Sequence, residues 1–531
     1  MADNNEESLT PSHGHSFLAA SGILLSRVAG LVRESVIAFF FGSSAAADAL
    51  KAAFRIPNLL QNLFGEGVLS ASFIPVYANL LAREEREKAE RVAGAVAALL
   101  MAATSILVLL GVLLTPWIID LITPGFSGAK RQLCIELVRI LFPGAGLMVW
   151  SAWCLGILNS HHKFFLSYVA PVVWNAAIIG SLLVWGSRLG QFPLAKVVAW
   201  ASVAGSALQV VVQLPLVLKL LRRLRLSLSW RMSQVREVVV NFVPVFFSRG
   251  VFQISSYVDA LLASFLPTGA LASFTYAQML YILPVSLFGM SVSAVELPAM
   301  SRALGNPEEV AGQLHQRLNA GLRRIAFFII PSTMAFLVLG NVIAAAVYQR
   351  GQFSAADSMI VWAILAGSAV GLLATTFSRL YVSTFYALRD TRTPLRYAIL
   401  RVVLSAGLGY LAALHLPALI GIDRRWGVAG LGASASICGW IEFILLRRRL
   451  SHRISRCGLG FGFLARLWLA AALAAAAGWG VRQLAGPGGH PIWIAAVTLG
   501  SFALVYLLVV LAWRIPEAMF LKNLIGRAKK K

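Results

Sequence analysis

The sequence predicts an all-α membrane protein with about fourteen transmembrane helices. Hydrophobic residues fill 58% of the 531 positions, charged residues only 13%, and the mean hydropathy is +0.76. A soluble domain carries roughly a quarter charged residues, so this composition excludes an ordinary globular protein. Apolar stretches recur along almost the whole chain, and many exceed the roughly 20 residues that a helix needs to cross a bilayer. Membrane-spanning strands would show alternating segments of about 10 residues, and the sequence has no such pattern.

The predicted spans follow the apolar stretches in chain order. They cover residues 17–42, 48–81, 92–118, 132–158, 165–187, 197–218, 237–265, 270–303, 325–348, 357–388, 395–415, 427–446, 463–482 and 491–513. Several are longer than one crossing requires, so we expect them to tilt or to extend into water.

Two lobes of six helices each are predicted from a weak internal repeat. Ser26-Arg27 in span 1 recurs as Ser248-Arg249 in span 7, 222 residues later, and Pro75 recurs as Pro298, 223 residues later. Six spans separate the copies, so the repeat would be parallel, with its pseudo-twofold along the membrane normal. The resulting domains are a disordered tail, an N-lobe, a C-lobe, an appendage of two helices and a basic tail, at residues 1–16, 17–220, 237–448, 463–513 and 514–531.

The distribution of positive charge predicts the orientation. Lys and Arg number 46 against 22 Asp and Glu, a net charge of +24. The connections that share a side with the N-terminus, together with the C-terminal tail, hold 28 of the basic residues, and the opposite connections hold 8. By the positive-inside rule both termini are cytoplasmic. No connection is long enough for a nucleic-acid-binding domain, so we expect no nucleic-acid partner.

No catalytic motif is present. The chain lacks a phosphate-binding GxxxxGK[ST] loop and an HExxH pair, so neither a built-in ATPase nor an enzyme is expected, and no bound cofactor either. Movement against a gradient would have to use an ion gradient or the membrane potential. The four cysteines form no CxxC pair, and we interpret them as apolar packing residues without a disulfide.

Charged residues inside the predicted spans carry the functional interpretation. A charge at mid-bilayer costs roughly 2.5–3.5 kcal/mol, so Arg27 and Arg33 in span 1 would cost on the order of 6 kcal/mol facing lipid. They must line a water-filled cavity, bind an anion, or pair with carboxylates simply to hold spans 1 and 2 together. Lys51 and Asp48 are expected near the outer surface, where long side chains reach water.

Our candidates are divided by charge. The substrate-binding candidates are Arg27, Arg33, Arg55, Arg249 and Arg379, and the acidic or gating candidates are Glu34, Asp48 and Glu66. Helix breakers fall in the same spans: Gly30, Pro57, Gly65, Gly67, Pro284 and Gly289. Irregular backbone at membrane depth is tolerated only where it faces protein or a water-filled cavity, so breakers and charges together indicate the substrate route.

Several motifs resemble the MurJ/MviN lipid II flippases of the multidrug/oligosaccharidyl-lipid/polysaccharide exporter superfamily. They are SRVAGLVRE (26–34), DALKAAFRIPNLL (48–60), FGEGVLSASFIPVYA (64–78), YQRGQF (348–353) and FYALRDTRTP (385–394). The resemblance implies a bacterial inner-membrane protein with two lobes around a basic central cavity, alternating access, and lipid II as substrate. Cell-wall synthesis proteins are candidate partners beside the membrane lipids. By position, Arg27 and Arg33 match two cavity arginines, Asp48 and Glu66 match acidic residues of span 2, and Arg379 matches a basic one of span 10.

The chain also departs from the family pattern. Gln61 and Met279 stand where many members have arginine. Some members bind sodium in the second lobe, and Asp259 fits that site as a tentative ligand, together with Val428. Ser405 and Gly409 stand where asparagine and aspartate ligands would be, which puts sodium coupling in doubt.

Three other functions stay open on the sequence alone. A drug or cation antiporter of the same superfamily would need an acidic cavity, whereas the candidates here are mostly basic. A flippase for another polyprenyl-linked glycan would share the basic cavity. A membrane enzyme or scaffold would tolerate neutral residues at the buried arginines.

Overall fold

The computed structural model describes residues 13–227, 231–302, 306–455, 457–486 and 489–519, and the regular elements in these ranges are all helical. The α-helices are α1 (His13–Phe41), α2 (Ala45–Phe64), α3 (Glu66–Ser72), α4 (Ile74–Ala82), α5 (Arg86–Ile122), α6 (Gly128–Ser160), α7 (Phe164–Trp185), α8 (Gln191–Leu221), α9 (Ser233–Ser264), α10 (Ala270–Pro284), α11 (Ser291–Ser301), α12 (Pro307–Tyr348), α13 (Ala355–Ala369), α14 (Leu372–Ala387), α15 (Arg392–Tyr410), α16 (Leu416–Leu419), α17 (Gly427–Ile454), α18 (Phe461–Leu484) and α19 (Pro491–Ala512). Turns of π-helix occupy Val285–Met290 and Leu411–His415, and a 3-10 turn occupies Arg424–Trp426.

The predicted all-α membrane fold is confirmed. Each predicted span corresponds to one helix or to a run of consecutive helices. Among the described residues, ten helical segments are long and apolar enough to cross a membrane, or eleven if α13 and α14, which meet at 44°, form one broken span. The remaining spans, which are α1, the run α2 to α4, and α9, fall short of that apolarity and contain the charged candidates. The count of fourteen therefore stays a prediction.

The chain divides into two compact units, Met1–Tyr257 and Val258–Lys531. The division falls inside α9, and the predicted lobe boundaries stay a prediction. Residues 1–12 and 520–531, which include most of the first predicted tail and the end of the second, lie outside the described residues.

Unit 1 is organised around α6, which packs against α2, α5 and α8, while α7 packs against α1 and α8. Small residues let these helices approach closely, as is usual in membrane bundles. A Cβ at Gly205 of α8 would lie 3.1 Å from the Cα of Trp174 on α7. The Trp174 indole Nε1 donates to the Ser202 carbonyl oxygen at 3.1 Å, which fixes the register of α7 against α8.

Unit 2 is organised around α17, which packs against α13, α14 and α15, and around α12, which packs against α13, α18 and α19. The close contact of α13 with α17 requires glycine, since a Cβ at Gly432 would lie 2.5 Å from the Ser368 hydroxyl. Tyr506 of α19 donates its hydroxyl to the Phe327 carbonyl oxygen of α12 at 2.7 Å. This bond ties the last helix to the body of the unit.

Span 2 and span 8 are both interrupted, at positions 224 residues apart. In span 2 the break is at Gly65, where a Cβ would lie 2.1 Å from the Gln61 carbonyl oxygen. In span 8 the π-turn directly follows Pro284 and contains Gly289, whose Cβ would lie 2.5 Å from Thr376 Cγ2. By contrast, α1 continues as a helix through Gly30, and α2 continues through Pro57.

The four cysteines are free and buried, which confirms their interpretation as packing residues.

Candidate functional site

A cluster of charged side chains lies within unit 1 where α1, α2 and α7 meet. Its centre is Glu34, which is only 7% exposed. The Glu34 carboxylate accepts a hydrogen bond from the Arg33 guanidinium, with Nη2 and Oε1 2.7 Å apart, and a second from the Lys51 ammonium. One carboxylate is thus shared by two cations, so the trio keeps a net positive charge.

Arg33 is held from three directions. Besides its bond to Glu34, its Nη1 donates to the Asn175 amide oxygen at 3.1 Å. The guanidinium carbon lies 4.7 Å from the centre of the Trp174 ring, within cation–π range. Asn175 is itself oriented, because its amide nitrogen donates to the Pro171 carbonyl at 3.0 Å. A planar guanidinium suits this combined stacking and hydrogen bonding, whereas a lysine ammonium would not.

Lys51 does not reach an aqueous surface, so the expectation for this residue is wrong. The side chain is 3% exposed and ends on the Glu34 carboxylate. Pairing with a carboxylate compensates the cost of burying the ammonium, and this pair connects α2 to α1.

Asp48 has a different partner from the other acidic candidates. It lies in the first turn of α2, is 1% exposed, and its Oδ2 is 3.4 Å from the Lys130 Nζ of α6. A carboxylate at a helix N-terminus is also favoured by the helix dipole. Asp48 therefore holds the start of α2 against α6, which agrees with the structural-pairing interpretation for this residue.

Arg27 and Arg55 differ in their surroundings. Arg27 is exposed on α1 and has no ion-pair partner within the described part of the chain. Arg55 is half-buried on α2, and its backbone carbonyl accepts a hydrogen bond of 2.8 Å from the Tyr257 hydroxyl. An arginine without a neighbouring carboxylate is the stronger candidate for an anionic ligand, so Arg27 stands out.

For Glu66 and Arg249 the helical backbone is described, but their side chains lie outside the described part of the structure.

Unit 2 contains a second charged cluster, on α14, α15 and α17. Arg401 Nη1 donates to Glu442 Oε2 at 2.9 Å, and Glu442 is 5% exposed. The exposed Arg379 lies within electrostatic range of Arg401, Glu442 and the Tyr281 hydroxyl. Here too, two arginines share one buried carboxylate.

The described side chains do not fit the tentative sodium site. Asp259 on α9 is half-buried and within electrostatic range of the Arg401 guanidinium, which would repel a second cation. Val428 is 1% exposed, and a Cβ at Gly409 would meet Leu262 at 3.0 Å. In the described ranges, no group of three His, Cys, Asp or Glu residues is placed to hold a metal. We derive no transport step from sodium.

The FYALRDTRTP segment forms the connection between α14 and α15. Asp390 accepts hydrogen bonds from the Thr393 backbone nitrogen at 3.0 Å and the Thr393 hydroxyl at 2.8 Å, and it pairs with Arg453 of α17 at 2.9 Å. Partial burial raises the pKa of Asp390, but the Thr393 hydrogen bonds and the Arg453 charge outweigh it, so the net pKa is below its usual value. The motif residue therefore fixes this connection to α17.

The fold and these clusters define the class of protein: a multi-pass helical membrane transporter with arginines buried among its spans. Comparison with known proteins then gives the family. The lipid II flippase MurJ family matches residues 37–509, and the chain belongs to that family.

Named relatives and solved structures agree. The "Probable lipid II flippase MurJ" of Rhizobium meliloti (strain 1021) is 30% identical over 475 residues, covering 87% of this chain and 85% of that protein. The "Lipid II flippase MurJ" of Burkholderia cenocepacia is 30% identical over 445 residues, covering 82% and 84%. A structure described as "Lipid II flippase MurJ, inward closed conformation" matches the fold with a TM-score of 0.75 at 23% identity, covering 96% of this chain and 100% of that one. An inward-facing multidrug resistance MATE family transporter of the MOP superfamily matches with a TM-score of 0.64 at 17% identity, covering 82% and 98%.

Sequence reasoning missed five residues of these clusters. Trp174 and Asn175 orient Arg33, Lys51 completes the Glu34 pair, and Arg401 and Glu442 form the centre of the second cluster. The cost of an intramembrane charge, applied to spans 11 and 12 as it was to span 1, would have identified Arg401 and Glu442. The polar Asn175 within the apolar span 5 was a similar signal.

Proposed function

We propose that this protein flips lipid II from the cytoplasmic to the outer leaflet of the bacterial cytoplasmic membrane. Membership of the family supports the substrate, and the named relatives carry that activity in their descriptions. The observation that carries the site is the contrast between two arginines of α1. Arg33 is held by Glu34, Asn175 and Trp174, while Arg27 is exposed and has no ion-pair partner among the described residues.

In the proposed mechanism Arg27 binds a pyrophosphate oxygen pair. Arginine forms two parallel charge-assisted hydrogen bonds to such a group, and this replaces the hydration that the anion loses on leaving water. Arg33 assists from its fixed position. Its two side-chain hydrogen bonds use two of the five N–H donors of a guanidinium, and its side chain is 17% exposed, which leaves access for a ligand.

Several finer features belong to the same proposal. The headgroup moves by alternating access while the polyprenyl tail stays in lipid, and no covalent bond of the substrate changes. Both termini are cytoplasmic, and a membrane potential that is negative inside favours return of the unloaded, positively charged site. Arg55, Arg249 and Arg379 contribute further positive charge along the route, and cell-wall synthesis proteins are the candidate partners.

The basic character of the clusters weighs against a drug or cation antiporter. The trio in unit 1 has two cations for one carboxylate, and so has the trio of Arg379, Arg401 and Glu442 in unit 2. The similarity to MATE transporters concerns the fold alone. A flippase for another polyprenyl-pyrophosphate glycan would use the same phosphate chemistry, so a substrate-specific test must separate it.

Complementation provides that test. Cells depleted of their own lipid II flippase should grow when they express this chain, and growth should fail with Arg27→Ala or Arg33→Ala at equal membrane levels. Arg131→Ala is the matched control, because Arg131 pairs with Asp120 at the molecular surface and should be dispensable. Normal growth of the Arg27→Ala cells would remove this arginine from the mechanism. Resistance to cationic dyes without complementation would instead indicate an antiporter.

A further inference from the structure

A second cavity lies in unit 1, at the end of the bundle where α4, α6 and α8 end and α5 begins. Its volume is about 240 Å³. The polar side chains that line it are Tyr77, Arg86, Glu90, His161, Lys219 and Arg222. These residues are distinct from the Arg33, Glu34 and Lys51 cluster, and the proposed function does not use them.

The cavity carries an excess of positive charge at its mouth. Arg86, Lys219 and Arg222 are exposed, and none has an ion-pair partner in the described ranges. Glu90 contributes one negative charge. The three cations and one carboxylate leave two positive charges, which a dianion would balance.

The inner wall is neutral and fixed. Tyr77 is 1% exposed, and its hydroxyl is 3.1 Å from the His161 Nε2. Burial lowers the pKa of His161, and the positive charge of Arg86 adds to the effect, so the imidazole is neutral at pH 7. A hydrogen-bonded hydroxyl and a neutral imidazole therefore form the floor beneath a ring of cations.

The backbone places Arg222 at this cavity at a conformational cost. Arg222 ends α8 with φ 47° and ψ −50°, a region that side-chain-bearing residues rarely occupy. Such backbone strain persists only where the surroundings impose it, and it is frequent at ligand sites. The chain beyond it is tightly placed on α5, because a Cβ at Gly94 would lie 2.2 Å from the Arg225 carbonyl oxygen.

We infer that this cavity is a binding site for a phosphate-class dianion, held by Arg86, Lys219 and Arg222. Arginine binds phosphate oxygens in pairs, and lysine adds a compact charge. The volume is below the roughly 300–1,000 Å³ of pockets for drug-sized ligands. It accommodates a phosphate, a pyrophosphate or the phosphate of a lipid headgroup, and it is too small for a disaccharide-pentapeptide.

The test measures binding of inorganic pyrophosphate to the full-length protein in phosphatidylcholine nanodiscs by titration calorimetry. The double variant Lys219→Gln with Arg222→Gln should weaken the affinity at least about tenfold, since it removes two charge-assisted contacts. The matched double variant Arg83→Gln with Arg223→Gln removes the same charge from exposed neighbours outside the cavity and should leave the affinity unchanged. Other anion-binding arginines are common to both variants, so the difference reports this cavity.

Two further arms identify the source of the anion and control for folding. Enriching the nanodiscs in phosphatidylglycerol should not change pyrophosphate binding if the natural ligand is a free anion. If the ligand is a lipid headgroup, enrichment should block it, and lipid co-purifying with the wild type should be lost from the cavity variant. The swap Lys219→Arg with Arg222→Lys keeps both charges and should retain binding. Equal pyrophosphate affinity and equal lipid retention for the cavity and control variants, with unchanged unfolding midpoints, would overturn the inference.

Discussion

Glu34 shows how an apolar helix tolerates an arginine at this depth. A lone buried charge is expensive, but Glu34 has cationic partners on α1 and α2, so its charge is compensated where it lies. The pairing also positions Arg33, whose other contacts reach α7. The structural and the functional interpretations of these charges are therefore not exclusive: ion pairing fixes the geometry that a ligand would need.

The Glu34–Lys51 pair gives a residue-scale prediction. Glu34→Gln or Lys51→Met alone should destabilise the protein by about 3–5 kcal/mol, because each leaves a buried charge without its partner. The double variant should recover part of that loss, since it removes both charges of the pair. The measurement is the thermal unfolding midpoint in detergent, followed by tryptophan fluorescence.

The exposed pair of Asp120 and Arg131 is the control for this cycle. Its members are 53% and 34% exposed, so Asp120→Asn should change stability by about 1 kcal/mol or less. Losses for Glu34→Gln and Lys51→Met that simply add in the double variant would show that the two residues are not coupled.

At the scale of elements, the interrupted spans 2 and 8 are the most informative feature. Each break is placed by a glycine that has no room for a Cβ, at Gly65 and at Gly289. A π-helical turn such as the one around Gly289 is rare and is frequent at functional sites. The equivalent placement of the two breaks agrees with the predicted parallel repeat, because each unit then begins with the same arrangement of a charged span and a broken span.

The π-turn leads to a prediction that includes its own rescue. Gly289→Ala should cost about 1–3 kcal/mol, because the new methyl group would overlap Thr376 Cγ2 on α14. Thr376→Ser removes that methyl group, so the double variant should regain most of the stability that Gly289→Ala loses. Thermal unfolding of the four proteins in detergent measures the coupling.

Gly500→Ala is the control for the π-turn, since a Cβ at Gly500 of α19 meets no atom within 4 Å. It should be neutral or slightly stabilising, as alanine is the better helix former. Failure of Thr376→Ser to rescue Gly289→Ala would locate the clash elsewhere.

At the scale of the whole molecule, hydropathy was sufficient for the fold, and polarity was only partly sufficient for the site. Apolar length locates a helix whatever it packs against, which is why the predicted spans coincide with helices. The partner of a charge depends on tertiary packing instead. Nothing local in the sequence shows that Lys51 turns to Glu34 or that Asp48 turns to Lys130.

The residues supplied by distant helices were equally out of reach. Asn175 is 142 positions from Arg33, and Glu442 is 41 from Arg401. Contacts of this kind follow from how α1 packs on α7 and how α15 packs on α17, which single-sequence periodicity does not specify. Motifs gave the position of Arg27 and Arg33, and geometry separated their surroundings.

The orientation of the whole chain is the remaining large-scale prediction, and the buried cysteines make it accessible to experiment. All four native thiols are buried, so a membrane-impermeant maleimide should label the wild type weakly. Ala82→Cys lies in the basic connection that precedes α5, and Ser187→Cys lies in the connection that follows α7; both positions are exposed. If the connections rich in Lys and Arg are cytoplasmic, intact spheroplasts should label Ser187→Cys at once and Ala82→Cys only after lysis. The reverse order would invert the predicted topology, and with it the leaflet from which the proposed substrate enters. Neither substitution alters a charge, so the positive-inside signal itself stays intact during the measurement.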